Sequence, residues 1–168
     1  PSNDATVNPK DDGATGPFDL GGSFNLFNQD LRYAWVGVNG AIALSSTATE
    51  TLDVNSNGFY TAFDFPGTVR KHTDPRDTAT LGRKPYNFIA AYWNDLIYGD
   101  TMAGSQYGRI LYENTGDNFI VQWDSMAIFD SEGNHYLDEM VFRIVLEKTT
   151  GNILFQYDNV GTGGSDTT

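Results

Sequence analysis

The chain has 168 residues, 39% hydrophobic and 19% charged, enough for one domain with a substantial core and too ordered in composition for an acidic disordered tail. Twenty-two acidic against ten basic residues give a net charge of −12, a surface that repels phosphate backbones, argues against nucleic acid as a partner and suits cations. Two histidines and no cysteine leave little for zinc or thiolate chemistry and exclude disulfides. No apolar run approaches the roughly 18 residues of a membrane span.

In chain order, residues 1–15 are polar and read as a flexible N-terminal arm of a processed or excised module. Residues 18–20 and 23–27 are short strand candidates. Residues 31–38 and 41–44 are β-rich runs around Asn39-Gly40. Asn-Gly between such runs signals a hairpin, because a type I′ turn needs positive φ at both central positions. Residues 45–86 hold Gly, Pro, Asp and Thr and read as long functional loops. The run Asn87-Phe88-Ile89-Ala90-Ala91-Tyr92-Trp93 is almost wholly apolar and reads as a central strand buried on both faces. Residues 107–113 and 118–126 flank the turn 114–117, and residues 139–148 and 153–158 flank the turn 149–152, giving two further hairpins.

Alternation is sharpest late in the chain. Met140, Phe142, Ile144 and Leu146 share one face, with Arg143 and Glu147 on the other; Phe119, Val121 and Trp123 alternate with Ile120, Gln122 and Asp124. Trp35, Trp93 and Trp123 all fall inside these strands, where core is the default. No helical period runs beyond one or two turns. The expectation is an all-β, antiparallel two-sheet β-sandwich with long loops over residues 16–160, closed by a Gly/Thr/Ser linker at 161–168.

Four segments in order resemble the nidogen-like (NIDO) domain and its bacterial secreted relatives. They are Val36-Gly37-Val38-Asn39-Gly40-Ala41-Ile42, then Ile89-Ala90-Ala91-Tyr92-Trp93-Asn94-Asp95-Leu96, then Phe119-Ile120-Val121-Gln122-Trp123. The fourth is Phe142-Arg143-Ile144-Val145-Leu146 followed by Gly151-Asn152-Ile153-Leu154-Phe155-Gln156-Tyr157. The chain departs from the family pattern with Asn94 where an acid is common, and with a long insertion between Leu44 and Tyr86. The resemblance implies a secreted or cell-surface setting, an adhesion or matrix role and no catalytic residues.

The sharpest local signal is Asp53-Val54-Asn55-Ser56-Asn57-Gly58 with Asp64 six residues beyond the glycine. Oxygen side chains at positions 1, 3 and 5, glycine at 6, a carbonyl at 7 (Phe59) and an acid at 12 match the spacing of a calcium loop. Asp at position 12 is shorter than the usual Glu, and an ordinary Asn/Gly turn is the alternative. Asn94, Asp95 and Asp100, with Tyr98 among them, follow the apolar run and offer oxygens to a cation or polar ligand; Asp95 capping the chain as it leaves the sheet is the plainer reading. The loop 129–136 mixes aromatic and polar groups, and Tyr136, with Tyr60 and Tyr98, is a candidate sugar-stacking ring. His72 and His135 have no serine or cysteine in a recognised nucleophile setting, and no phosphate loop is present.

These features point to a non-catalytic extracellular adhesion or binding module, calcium-stabilised at residues 53–64, whose partner is a protein or glycan. The other reading is a self-assembling subunit of an extracellular filament or surface layer, its N-terminal arm added to a neighbour's sheet edge. A hydrolase is the third.

Overall fold

A computed structural model describes residues 1, 3–5, 14–48, 87–94, 96–97, 108–128 and 136–160, with backbone alone for Asp4 and residues 136–139. Its strands are β1 (Asn3–Asp4), β2 (Ala14–Leu26), β3 (Gln29–Gly37), β4 (Ala41–Ser45), β5 (Phe88–Ala90), β6 (Leu96–Ile97), β7 (Arg109–Asn114), β8 (Asn118–Ile128), β9 (Tyr136–Glu147) and β10 (Ile153–Asn159). No helix occurs among the described residues. One sheet runs β2-β3-β4-β5; the other runs β1-β7-β8-β9-β10, with β6 also on β8. All pairings are antiparallel. β7 pairs with residues 119–124 side of β8 from Phe119 to Asp124, and β6 pairs further along at Ala127 and Ile128.

The two-sheet sandwich follows from period-two patterning. Phe119, Val121 and Trp123 of β8 and Met140, Phe142, Ile144 and Leu146 of β9 are all buried and form one wall of the core. Leu20, Phe24, Ala34, Val36, Ile42, Leu44 and Ile89 form the facing wall. Burying such faces against each other is what stabilises two half-apolar sheets. Polar ties fix how the sheets meet. The indole N–H of Trp123 donates to the Gly37 carbonyl at 3.0 Å, while its ring stacks on Phe142 at 5.1 Å. At another point Lys148 Nζ donates to the Leu20 carbonyl at 2.5 Å and to Asn114 Oδ1 at 2.8 Å, and Asn114 Nδ2 donates to the Asp19 carbonyl at 3.2 Å. Partial burial pushes the Lys148 ammonium below its ordinary pKa.

The β3–β4 hairpin forms, with a different turn from the one expected. Its loop is Val38, Asn39 and Gly40, and only Gly40 has positive φ, +76°. The reason is that Asn39 is turned inward. It is 2% exposed, and its Oδ1 accepts the backbone N–H of Leu96 at 2.7 Å. Gly40 is required twice, by its φ and by space. A Cβ there would lie 1.8 Å from the Tyr92 carbonyl oxygen.

The apolar run 87–93 is not a central strand buried on both faces. Only Phe88–Ala90 of this run is strand, and β5 is the last strand of its sheet among the described residues. Ile89 alone of the three is buried, at 5% exposure. Asn87 enters at φ 62°, and after Ala90 the chain turns away, the amides of Ala91 and Tyr92 both reaching the Gly40 carbonyl at 3.2 and 3.5 Å. The run is apolar because its residues pack in two directions. Tyr92 meets Phe142 at 5.5 Å and Trp93 meets Phe88 edge-on at 4.8 Å. Trp93 is therefore half-buried beyond the strand, whereas Trp35 and Trp123 are buried within theirs.

The last turn lies one residue earlier than the sequence suggests. Glu147 N donates to the Asn152 carbonyl at 3.0 Å, leaving residues 148–151 as the loop. Thr150 Oγ1 and Asn152 Nδ2 both donate to Glu147 Oε2, at 2.7 and 2.9 Å, and hold that carboxyl below its usual range. Asn3 and Asp4, within the span read as an arm, form β1 on β7 of the same chain. The adjoining Ala5 is 1% exposed, its amide donating to the Ile110 carbonyl.

Candidate functional site

The expected calcium loop, Asp53, Asn55, Asn57, Phe59 and Asp64, lies outside the described residues, as do Asp95, Tyr98 and Asp100. Tyr136 is not in a loop: its backbone opens β9 and pairs with Ile128, because β8 runs on to that residue. Among the described residues no group of three or more His, Cys, Asp or Glu side chains is placed to hold a metal.

The structure instead assembles a polar site on the outer face of the six-stranded sheet. Register builds it. Gln122 of β8 lies opposite Arg143 of β9, and Arg143 opposite Gln156 of β10. Each alternates with core residues, Gln122 between Val121 and Trp123 and Arg143 between Phe142 and Ile144, so the three point away from the sandwich interior. Asp158, two residues beyond Gln156 on β10, stands beside this row. Gln122, Val141, Phe142, Arg143, Gln156, Tyr157 and Asp158 line a half-open hollow of about 360 Å³.

Arg143 is the centre of this hollow. Its Nε donates to Gln156 Oε1, which fixes the guanidinium plane across the two strands. Other arginines on these sheets are matched to acids. Arg32 forks onto both carboxylate oxygens of Asp19, at 3.0 to 3.3 Å, and Arg109 Nε meets Asp124 Oδ2 at 2.9 Å. The Arg32 contact, with the Gly21 amide, holds the Asp19 carboxyl below its usual range. Among the described residues Arg143 has no carboxylate within ion-pair distance. In a chain of net charge −12 that leaves a cation with open donor positions in a concave, polar setting.

The sequence marked Arg143 as outward-facing and did not single it out. The available signal was an arginine flanked across the sheet by two glutamines on outward positions, which becomes visible only once the hairpin registers are known.

The hollow's wall on the β10 side is itself tied down. Tyr157 Oη donates to the Ala91 carbonyl at 2.6 Å, joining the edge strand to the segment that follows β5. Among the described residues β10 ends the sheet, and Phe155, Tyr157 and Val160 on or beside it are 45%, 49% and 46% exposed.

The family model described as NIDO related matches residues 2–168. No curated protein and no solved structure matches the chain. The chain belongs to the NIDO-related family, which is typically extracellular.

Proposed function

We propose that this NIDO-related domain is a non-catalytic extracellular binding module that holds its ligand on the outer face of the six-stranded sheet. The observation that carries the reading is Arg143, fixed by Gln156 and ion-paired with no acid among the described residues, in a hollow of about 360 Å³. Small-ligand sites are concave, of about 300–1,000 Å³, with a few polar groups that set orientation. Adhesion to a surface glycan or protein is the use such a site serves in an extracellular domain. Calcium at Asp53–Asp64 remains part of the proposal, supported by the spacing of its oxygens in the sequence.

The test is binding of the purified chain to immobilised extracellular polysaccharides and matrix proteins, with the bound material recovered and its size checked. The reading expects retention that falls at least about tenfold in Gln122→Ala and in Arg143→Gln, and ligand recovered intact. Retention unchanged in both variants, or shortened ligand, would remove it.

The assembling-subunit reading is favoured by one observation, a β10 edge that pairs with no further described strand and carries the exposed Phe155 and Tyr157. An unprotected edge is a template for strand addition. Light scattering across a concentration series separates the two readings. A module stays monomeric. A subunit grows, and Phe155→Lys, which places a charge on that edge, stops the growth.

A further inference from the structure

We propose that the hollow around Arg143 is built for a saccharide carrying a carboxylate, a uronic-acid-type sugar within an acidic glycan. This rests on the reading of that face as the binding surface and adds the ligand's chemical class.

A guanidinium presents its donors as a planar fork that matches the two oxygens of a carboxylate. On this chain Arg32 already shows that match, forking onto Asp19. In Arg143 the Nε of that fork is spent on Gln156, which leaves the end-on pair of Nη donors; Arg143 lines the hollow, and no acid among the described residues lies within ion-pair distance of it. Among the described residues no carboxylate takes up this position, and the carboxylate of a ligand fits it.

The neighbours decide what bears that carboxylate. Gln122 and Gln156 flank Arg143 in register, one strand to either side. Side-chain amides both donate and accept, and Asp158 accepts, so together they suit several hydroxyl groups at fixed spacing. Asp158 also sets the charge. A phosphate dianion would meet its carboxylate and a net charge of −12 with a single guanidinium to offset them; a monoanionic sugar acid is repelled less. A peptide C-terminus shares the carboxylate but not the surrounding hydroxyls, and it needs an apolar recess for its last side chain. The hollow sits at the small end of ligand sites, enough for one sugar ring, and its half-open shape lets a polymer continue along the sheet.

Titration calorimetry on the whole chain tests this with four probes: tri-galacturonate, its neutral methyl ester, inorganic phosphate, and a short peptide with a free C-terminus. The expected result is binding of the acid at least about tenfold tighter than its ester, with phosphate and peptide weaker than the acid. Arg143→Gln should weaken the acid about tenfold or more and leave the ester unchanged, with Arg143→Lys in between. Both variants must melt as wild type does, which is expected because the guanidinium lies outside the core. Acid and ester binding equally, with both weakened by Gln122→Ala, would overturn the acidic-sugar inference while leaving the face as a binding surface. Tightest binding by phosphate or by the peptide would overturn it as well. No binding by any probe would overturn the acidic-sugar inference alone; binding untouched by Gln122→Ala and Arg143→Gln would remove both.

Discussion

Replacing Trp123 with phenylalanine removes the hydrogen bond between the sheets and keeps the stack on Phe142. Trp123 is fully buried, its N–H is 3.0 Å from the Gly37 carbonyl, and its ring lies nearly parallel to that of Phe142 at 12°. Two losses add. Depriving a buried acceptor of its donor costs about 1–3 kcal/mol. Shedding the pyrrole half of the indole opens a small cavity, costing about 1–2 kcal/mol, a fraction of the about 3–5 kcal/mol of full truncation to alanine. The expected destabilisation is about 2–5 kcal/mol, seen as a lower denaturant midpoint at unchanged slope and a drop of about 5–15 °C in Tm. Trp35 and Trp93 remain as fluorescence probes. A loss below about 1 kcal/mol would mean that the indole does not tie the sheets together and that their apposition rests on apolar burial alone.

Gly40→Ala puts a Cβ 1.8 Å from the Tyr92 carbonyl at φ +76°, so it should lose about 3 kcal/mol or more in a thermal melt, where an open turn glycine would lose about 1. Asp19 and Glu147 have carboxyls held below their usual range, the first mainly by Arg32 and the second by Thr150 and Asn152. Their stabilisation is present above the unfolded carboxylate range of about pH 4–4.5 and is lost as pH falls through the lower folded values. Asp19→Asn with Glu147→Gln should therefore flatten the acid limb of a stability–pH curve and leave its shape above about pH 6 unchanged; an identical acid limb would show that these bonds do not set it. Calcium at about 100 times its dissociation constant should add about 2.7 kcal/mol of stability through residues 53–64, an increment that Asp53→Ala mostly abolishes. A wild-type melt unmoved by millimolar calcium would reduce the segment to a turn.

The parts of this fold legible in the sequence were those governed by side-chain period. Phe119, Val121 and Trp123, and Met140 through Leu146 at every second residue, announced the buried wall of one sheet, because alternation is imposed by the pleat itself. The family resemblance was legible for the same reason, since its segments are these strands and their turns. What depended on contacts across the chain was hidden. Asn39-Gly40 reads identically whether the asparagine faces solvent in a two-residue turn or, as here, is buried to accept the Leu96 amide. The run 87–93 is apolar in the manner of a central strand, yet it leaves the sheet after Ala90 to pack Tyr92 and Trp93 in different directions.

The candidate site shows how little separates the two cases. A turn placed at residues 149–152 sets Arg143 opposite Asp158, an ordinary cross-strand ion pair that would attract no interest. The observed loop, one residue earlier, shifts the register by two. It keeps the side chains of residues 153–157 on their expected faces but sets Arg143 opposite Gln156. Outward-facing charge was readable; the absence of a partner for it among the described residues was not.

The central claim is that the outer face of the six-stranded sheet, at Arg143, is where this domain binds. Amide chemical-shift mapping on labelled protein, titrated with tri-galacturonate, tests it most directly. The perturbed amides should cluster on β8, β9 and β10 at Gln122, Val141, Arg143, Gln156 and Asp158, and Arg143→Gln should erase the cluster. Perturbations gathered in the four-stranded sheet or the interstrand turns, with those residues unmoved, would contradict it.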